Sequence, residues 1–167
     1  PEVWIAEDSD AKPKRLTRNK ANESGICWSP DGLRLVVTSD SQGEPQLYEV
    51  SLTSGQLTRI ATNVSSHSSE ASWNPVDPDK ITFTAAVENG FQIFEYSFTA
   101  GSSRQLTDGI SSGLQSTWLN DGRHIIFTER STNGETRLMI LDTKVEDAKP
   151  KILHGVNFGN CSQASFY

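Results

Sequence analysis

A chain of 167 residues, 35% of them hydrophobic, is long enough to bury a substantial core. No apolar run approaches the roughly 18 residues that cross a bilayer as a helix, so the chain does not read as membrane-spanning. Its net charge of −6, from 15 basic and 21 acidic residues, argues against nucleic acid or an anionic membrane as the main partner, because both need a basic footprint.

Residues 1–21 hold two strands, 3–7 and 14–17, joined by a polar turn. The locally basic stretch from Lys12 to Lys20 reads as a solvated hairpin edge. Residues 22–62 form a repeat with four short strands, near 25–28, 33–39, 46–52 and 56–61. Between the first two lies Ser29-Pro30-Asp31-Gly32, which suits a type I turn with Pro30 presetting φ. Residues 63–107 form the second repeat, with strands near 69–73, 80–86, 91–98 and 103–107. Its turn after Trp73 is two residues longer, and Asn89-Gly90 is a two-residue hairpin signal. The third repeat spans 108–154, with strands near 114–118, 123–130, 136–142 and 149–153. Asn120-Asp121-Gly122 and Asn133-Gly134 repeat the turn signals. Residues 155–167 read as a lone innermost strand, since Ser162-Gln163-Ala164-Ser165-Phe166 matches Ser69-Glu70-Ala71-Ser72-Trp73.

Two markers keep step with these repeats. Trp28, Trp73, Trp118 and Phe166 are spaced by 45, 45 and 48 residues. The pairs Leu16-Thr17, Ile60-Ala61, Leu106-Thr107 and Leu153-His154 each precede one of these aromatics by 12 or 13 residues. The aromatics are expected to pack between repeats. Leu35-Val36-Val37 and Ile125-Ile126-Phe127 are continuous apolar runs, which implies strands covered on both faces. Four short strands per repeat, stacked face to face, describe an all-β propeller with four-stranded antiparallel blades.

No catalytic set emerges. There is no Gly-x-Ser-x-Gly elbow, Gly-rich phosphate loop or His-Glu-x-x-His motif, and the chain is not expected to be an enzyme or to carry a cofactor or metal. Cys27 and Cys161 fit no redox or metal spacing and read as small buried hydrophobes. His124 and His154 read as an edge-strand and a drifted position. Acidic residues near 7–10 and 77–79 suit Asx turns better than calcium. Asn22, Asn63 and Asn160 each open a glycosylation tripeptide, which matters only in a eukaryotic secretory setting. The loops entering the innermost strands line one mouth of a propeller channel. On them, or beside them, stand Asn22, Glu23, His67, Glu70 and Asn160, together with Gln115 and Gln163. Such a ring can hold a peptide, an ion or a sugar, or can simply be hydrated.

Trp28-Ser29-Pro30-Asp31-Gly32, then Gln46-Leu47-Tyr48, then Ser54-Gly55-Gln56-Leu57-Thr58 resemble the repeat of TolB-like propellers. The third repeat keeps Trp118, Asp121 and Gly122 but has Leu119-Asn120 in place of Ser-Pro. The resemblance implies a non-catalytic, protein-binding propeller of the bacterial periplasm, acting in the Tol–Pal system with an envelope lipoprotein among its partners. It also implies six repeats, whereas this chain has about 3.7 at a ~45-residue period and reads as a C-terminal piece. A four-bladed closed ring, or self-association of two copies through exposed blade faces, are the other arrangements considered. The alternative function is the gating propeller of a serine peptidase whose catalytic domain lies elsewhere. The lone final strand reads as a chain end and favours the first.

Overall fold

A computed structural model describes residues 1–153. The expected closing strand, with His154, Asn160, Cys161, Gln163 and Phe166, lies outside the described residues. Among the described residues, fourteen strands form four sheets. The first sheet pairs β1 (Trp4–Ile5) with β2 (Lys14–Arg15). The second contains β3 (Glu23–Trp28), β4 (Leu35–Ser39), β5 (Gln46–Val50) and β6 (Leu57–Arg59). The third contains β7 (Ser68–Trp73), β8 (Lys80–Val87), β9 (Gly90–Ser97) and β10 (Ser102–Gln105). The fourth contains β11 (Ser112–Trp118), β12 (His124–Arg130), β13 (Thr136–Asp142) and β14 (Lys151–Ile152). Every pairing is antiparallel and sequential. These are propeller blades, as the repeat predicts.

The turn after each innermost strand is closed by its own side chains. Ser29 Oγ donates to Asp31 at 2.5 Å and accepts the Arg34 N–H at 2.9 Å. In the expanded turn, Asn74 Oδ1 accepts the N–H groups of Val76 and Asp77, both at 2.9 Å. Asp121 Oδ1 accepts those of Arg123 and His124, again at 2.9 Å. Short polar side chains at these steps satisfy backbone donors that no ladder reaches.

The core consists of the layers between sheets. Val3 and Leu16 of the first sheet pack on Leu35, Val37, Tyr48 and Val50 of the second. Val36, Leu47 and Ile60 meet Trp73, Ile81, Phe83 and Phe94 of the third. Ile93 meets Trp118, Ile125, Phe127 and Leu141 of the fourth. The continuous apolar runs are therefore buried on both faces. Arg34 of the second sheet reaches the third, its guanidinium 4.7 Å from the ring centres of Trp73 and Phe98, and donates to the Pro78 carbonyl. Trp118 Nε1 donates to the Ser72 carbonyl at 3.2 Å.

Three expectations need correcting. Trp73 and Trp118 are buried, but Trp28 is 44% exposed. It stands outside the layer that Val3 and Leu16 form with the second sheet. Ala61 is exposed, and the third-sheet counterpart of Thr17 and Thr107 is instead the buried Thr62, whose hydroxyl lies 3.4 Å from that of Ser68. Cys27 is half-buried. Its sulfur accepts the Trp73 N–H at 3.0 Å, and burial pushes the thiol pKa up.

Tyr48 carries a buried hydroxyl with no hydrogen-bond partner among the described residues. Removing an unpaired buried polar group relieves its desolvation cost. Tyr48→Phe is expected to be neutral or stabilising by up to about 1 kcal/mol in urea unfolding. A loss of that size would show that the hydroxyl has a partner.

The fourth sheet carries an exposed ionic cluster. Arg123 forks onto Asp142 at 2.8 and 2.5 Å, and His124 Nδ1 stands 2.6 Å from Asp121. The His124 N–H, then its ring, then the Arg123 N–H pull Asp121 down to about 2, and the Arg123 fork pulls Asp142 to about 2. A carboxylate depressed in the folded state stabilises it above its unfolded pKa, roughly 3.9, and loses that contribution as pH falls toward 2. Thermal stability is thus expected to decline between about pH 4 and pH 2, with Asp142→Asn flattening part of the slope. An unchanged slope would remove this cluster from the acid response.

Candidate functional site

The meander places two sets of connections at one end of every blade: the loop entering the innermost strand, and the hairpin between the second and third strands. The innermost strands β3, β7 and β11 lie beside one another and form the channel side.

Each of these strands carries a β-bulge. Its register with the second strand shifts between Ser24 and Cys27, between Ser69 and Ser72, and between Leu114 and Thr117. The extra residues include Gly25, Glu70 and Gln115, spaced 45 apart, with φ of 57°, 57° and 54°. Glycine adopts this conformation freely, whereas for Glu70 and Gln115 it costs about 1 kcal/mol each. A bulge also withdraws an N–H from its own ladder. Here the neighbouring blade supplies the acceptor. Glu70 N–H donates to Thr38 Oγ1 at 3.2 Å, and Gln115 N–H to Thr84 Oγ1 at 3.3 Å. The Glu70 carboxylate completes the relay, accepting the Thr84 hydroxyl at 2.8 Å and the Gln115 N–H at 3.0 Å. One carboxylate therefore ties two blades along the channel wall.

The other predicted residues serve different contacts. Glu23 is 4% exposed and accepts from Thr17 Oγ1 at 2.9 Å and Asn19 Nδ2 at 2.8 Å, while Thr17 Oγ1 accepts the Val3 N–H at 3.0 Å. It is a strut between the first and second sheets, with no free face for a ligand. Asn22 is exposed, and its N–H and side-chain amide both reach Asp40 at 2.7 Å. The Asn22 N–H, then its amide, hold the Asp40 carboxyl below the usual range. His67 is half-buried, with its ring edge-on to Phe91 at 5.3 Å and its backbone N–H on Ser65 Oγ at 3.2 Å. Its ring nitrogens have no hydrogen-bond partner among the described residues. The structure thus joins Glu70 to Gln115, leaves Asn22 and His67 at the rim, and turns the Glu23 side chain to Thr17 and Asn19 instead.

The bulge relay is absent from the sequence reading. Its signal was a glycine or long polar residue at the same step of each innermost strand. Among the described residues, no group of three His, Cys, Asp or Glu side chains could hold a metal ion, and no helix is long and apolar enough to cross a membrane.

The blade architecture has known counterparts. The family model for the TolB beta propeller domain matches residues 1–154. The crystal structure of TolB from Acinetobacter baumannii is similar, with a TM-score of 0.77 and 24% identity over 92% of this chain and 37% of that one. A putative TolB from Agrobacterium tumefaciens has a TM-score of 0.75 and 16% identity, over 89% of this chain and 55% of that one. Puromycin hydrolase has a TM-score of 0.70 and 16% identity, over 95% of this chain and 25% of that one. At these identities the likeness is one of fold. The chain spans about a third to a half of the TolB chains it matches.

Proposed function

The chain belongs to the TolB β-propeller domain family, and on that premise we propose that it is a non-catalytic, protein-binding propeller. The single observation that carries this reading is the family match over residues 1–154. The proposed setting is the bacterial periplasm and the Tol–Pal system, and the proposed partner is an envelope lipoprotein of the peptidoglycan-associated kind. The mouth is the proposed contact surface. Asn22 and His67 stand at its rim and Glu70 on the channel wall behind them; Asn160, outside the described residues, is proposed with them from the sequence. Glu23 enters this reading as a support for the Asn19–Asn22 loop. Self-association through exposed blade faces remains part of the proposal for a chain that carries Trp4, Ile26 and Trp28 exposed at one end.

A second reading has its own support: the likeness to puromycin hydrolase, of which this chain covers 25%. In it the chain is the propeller of a hydrolytic enzyme and gates access to a catalytic domain. One experiment tests the first. In the first, His67→Ala weakens capture of the soluble domain of a peptidoglycan-associated lipoprotein about 5- to 10-fold, as expected for a rim contact worth about 1 kcal/mol, with Tm unchanged. Unchanged capture would move the contact off the mouth.

A further inference from the structure

Two glutamines stand behind the mouth and face inward rather than toward any ligand. Gln46 opens β5 and Gln92 lies near the start of β9, both buried. They occupy the same register step, paired with Ser39 and Ala85 respectively. Gln46 Nε2 donates to the Ser66 carbonyl and reaches the Ser65 carbonyl at 3.4 Å. Gln92 Nε2 donates to the Ser111 carbonyl at 2.9 Å and reaches the Gly109 carbonyl at 3.4 Å. Each amide oxygen is occupied too, by Arg59 Nη2 at 3.0 Å and by the Thr107 hydroxyl at 2.6 Å. A buried amide with every bond made in one orientation is fixed, and so is what it holds.

The loops have no ladder of their own, and the glutamine donors turn their carbonyls inward. A trans peptide sets its N–H opposite its C=O. The planes that give the Ser65 and Gly109 carbonyls to the glutamines therefore direct the N–H groups of Ser66 and Ile110 away from the core. Both residues are exposed, and neither N–H has an acceptor among the described residues. We propose that Gln46 and Gln92 are positioning residues for the mouth: they hold loops 63–67 and 108–111 so that the rim presents backbone N–H donors to a partner offering carbonyl or carboxylate oxygens. The inference rests on the mouth being the contact surface.

Gln46→Glu and Gln92→Glu test it. Glutamate keeps the acceptor for Arg59 or Thr107 and removes the donor to the loop carbonyls. Backbone order parameters for residues 63–67 in the first variant, and 108–111 in the second, are expected to fall from about 0.85 to below about 0.6. Affinity for the soluble domain of a peptidoglycan-associated lipoprotein is expected to fall about 5- to 10-fold. Gln46→Met and Gln92→Met, which keep the volume, should loosen the same loops and serve if a glutamate variant does not fold. Loops that stay rigid overturn the proposal, and so do loosened loops with unchanged affinity. If the unaltered chain does not bind the domain, the functional reading fails, and the order parameters alone decide the positioning role.

Discussion

Gly55→Ala is expected to destabilise the chain by about 3 kcal/mol or more, lowering Tm by roughly 6–12 °C. Gly55 lies in the hairpin between β5 and β6, where its N–H donates to the Ser51 carbonyl at 2.8 Å. Its φ is 72°, which alone costs a side chain about 1 kcal/mol. The larger effect is space. A Cβ built there would stand 1.9 Å from the Leu16 carbonyl oxygen and 2.8 Å from its carbon. That obstacle is main chain, held in turn by the Leu16 N–H on the Val3 carbonyl at 2.8 Å, so relief requires the first two sheets to part. The layer of Val3, Leu16, Leu35 and Val37 would open with them. Thermal unfolding checks this. A loss near 1 kcal/mol would mean that only the backbone conformation matters and that the sheets do not meet there.

The second large effect is Asn74→Ala, expected to cost about 2–4 kcal/mol in denaturant unfolding. Asn74 is buried at the end of the third blade's innermost strand. Its Nδ2 donates to the Gly122 carbonyl at 2.9 Å, across the boundary with the fourth blade, and its Oδ1 closes its own turn through Val76 and Asp77. Alanine strands all three partners at once. Gly122 itself, at φ 61°, leaves no room for a Cβ, which would lie 2.7 Å from Val76 Cβ and from Asn74 Oδ1. Asn74→Asp separates the two roles, because it keeps the turn acceptor and loses the donor to the next blade. If Asp is tolerated as well as Asn, the contact between blades contributes nothing.

The repeat and its strands were legible because they depend on local chemistry. A tryptophan followed by a short polar turn, and an apolar run after it, recur at 45 residues whatever surrounds them. Burial on both faces was also legible, from the uninterrupted Leu35-Val36-Val37 and Ile125-Ile126-Phe127. Contacts between blades were not, because they depend on which neighbour lies opposite. Glu70 and Gln115 read as polar positions of a strand, yet each sits on a bulge that turns its N–H to a threonine 31 or 32 residues away. Glu23 read as a rim residue and is a buried strut, since Thr17 and Asn19 fold back over it. Trp28 shares the motif of Trp73 and Trp118 but not their burial, because the sequence marks an anchor without showing what covers it. Gln46 read only as the first residue of the Gln46-Leu47-Tyr48 strand motif, and Gln92 as one more position of a strand. A glutamine opening an apolar strand looks like an edge, and only the loop carbonyls above it show otherwise.

The mouth therefore differs from a plain ring of polar side chains. Its rim is built of loops held from behind, its wall is tied from blade to blade by one carboxylate, and the exposed Asn22 and the half-buried His67 stand on its loops. The arrangement suits recognition by a fixed surface, with little ordering left to be done on association.

Calorimetric titration of the folded chain with the soluble domain of a peptidoglycan-associated lipoprotein tests the proposed role most directly. Saturable one-to-one binding, weakened by His67→Ala at unchanged Tm, is the predicted result. No binding by a chain that unfolds cooperatively, at concentrations well above the micromolar range of transient partners, would contradict it.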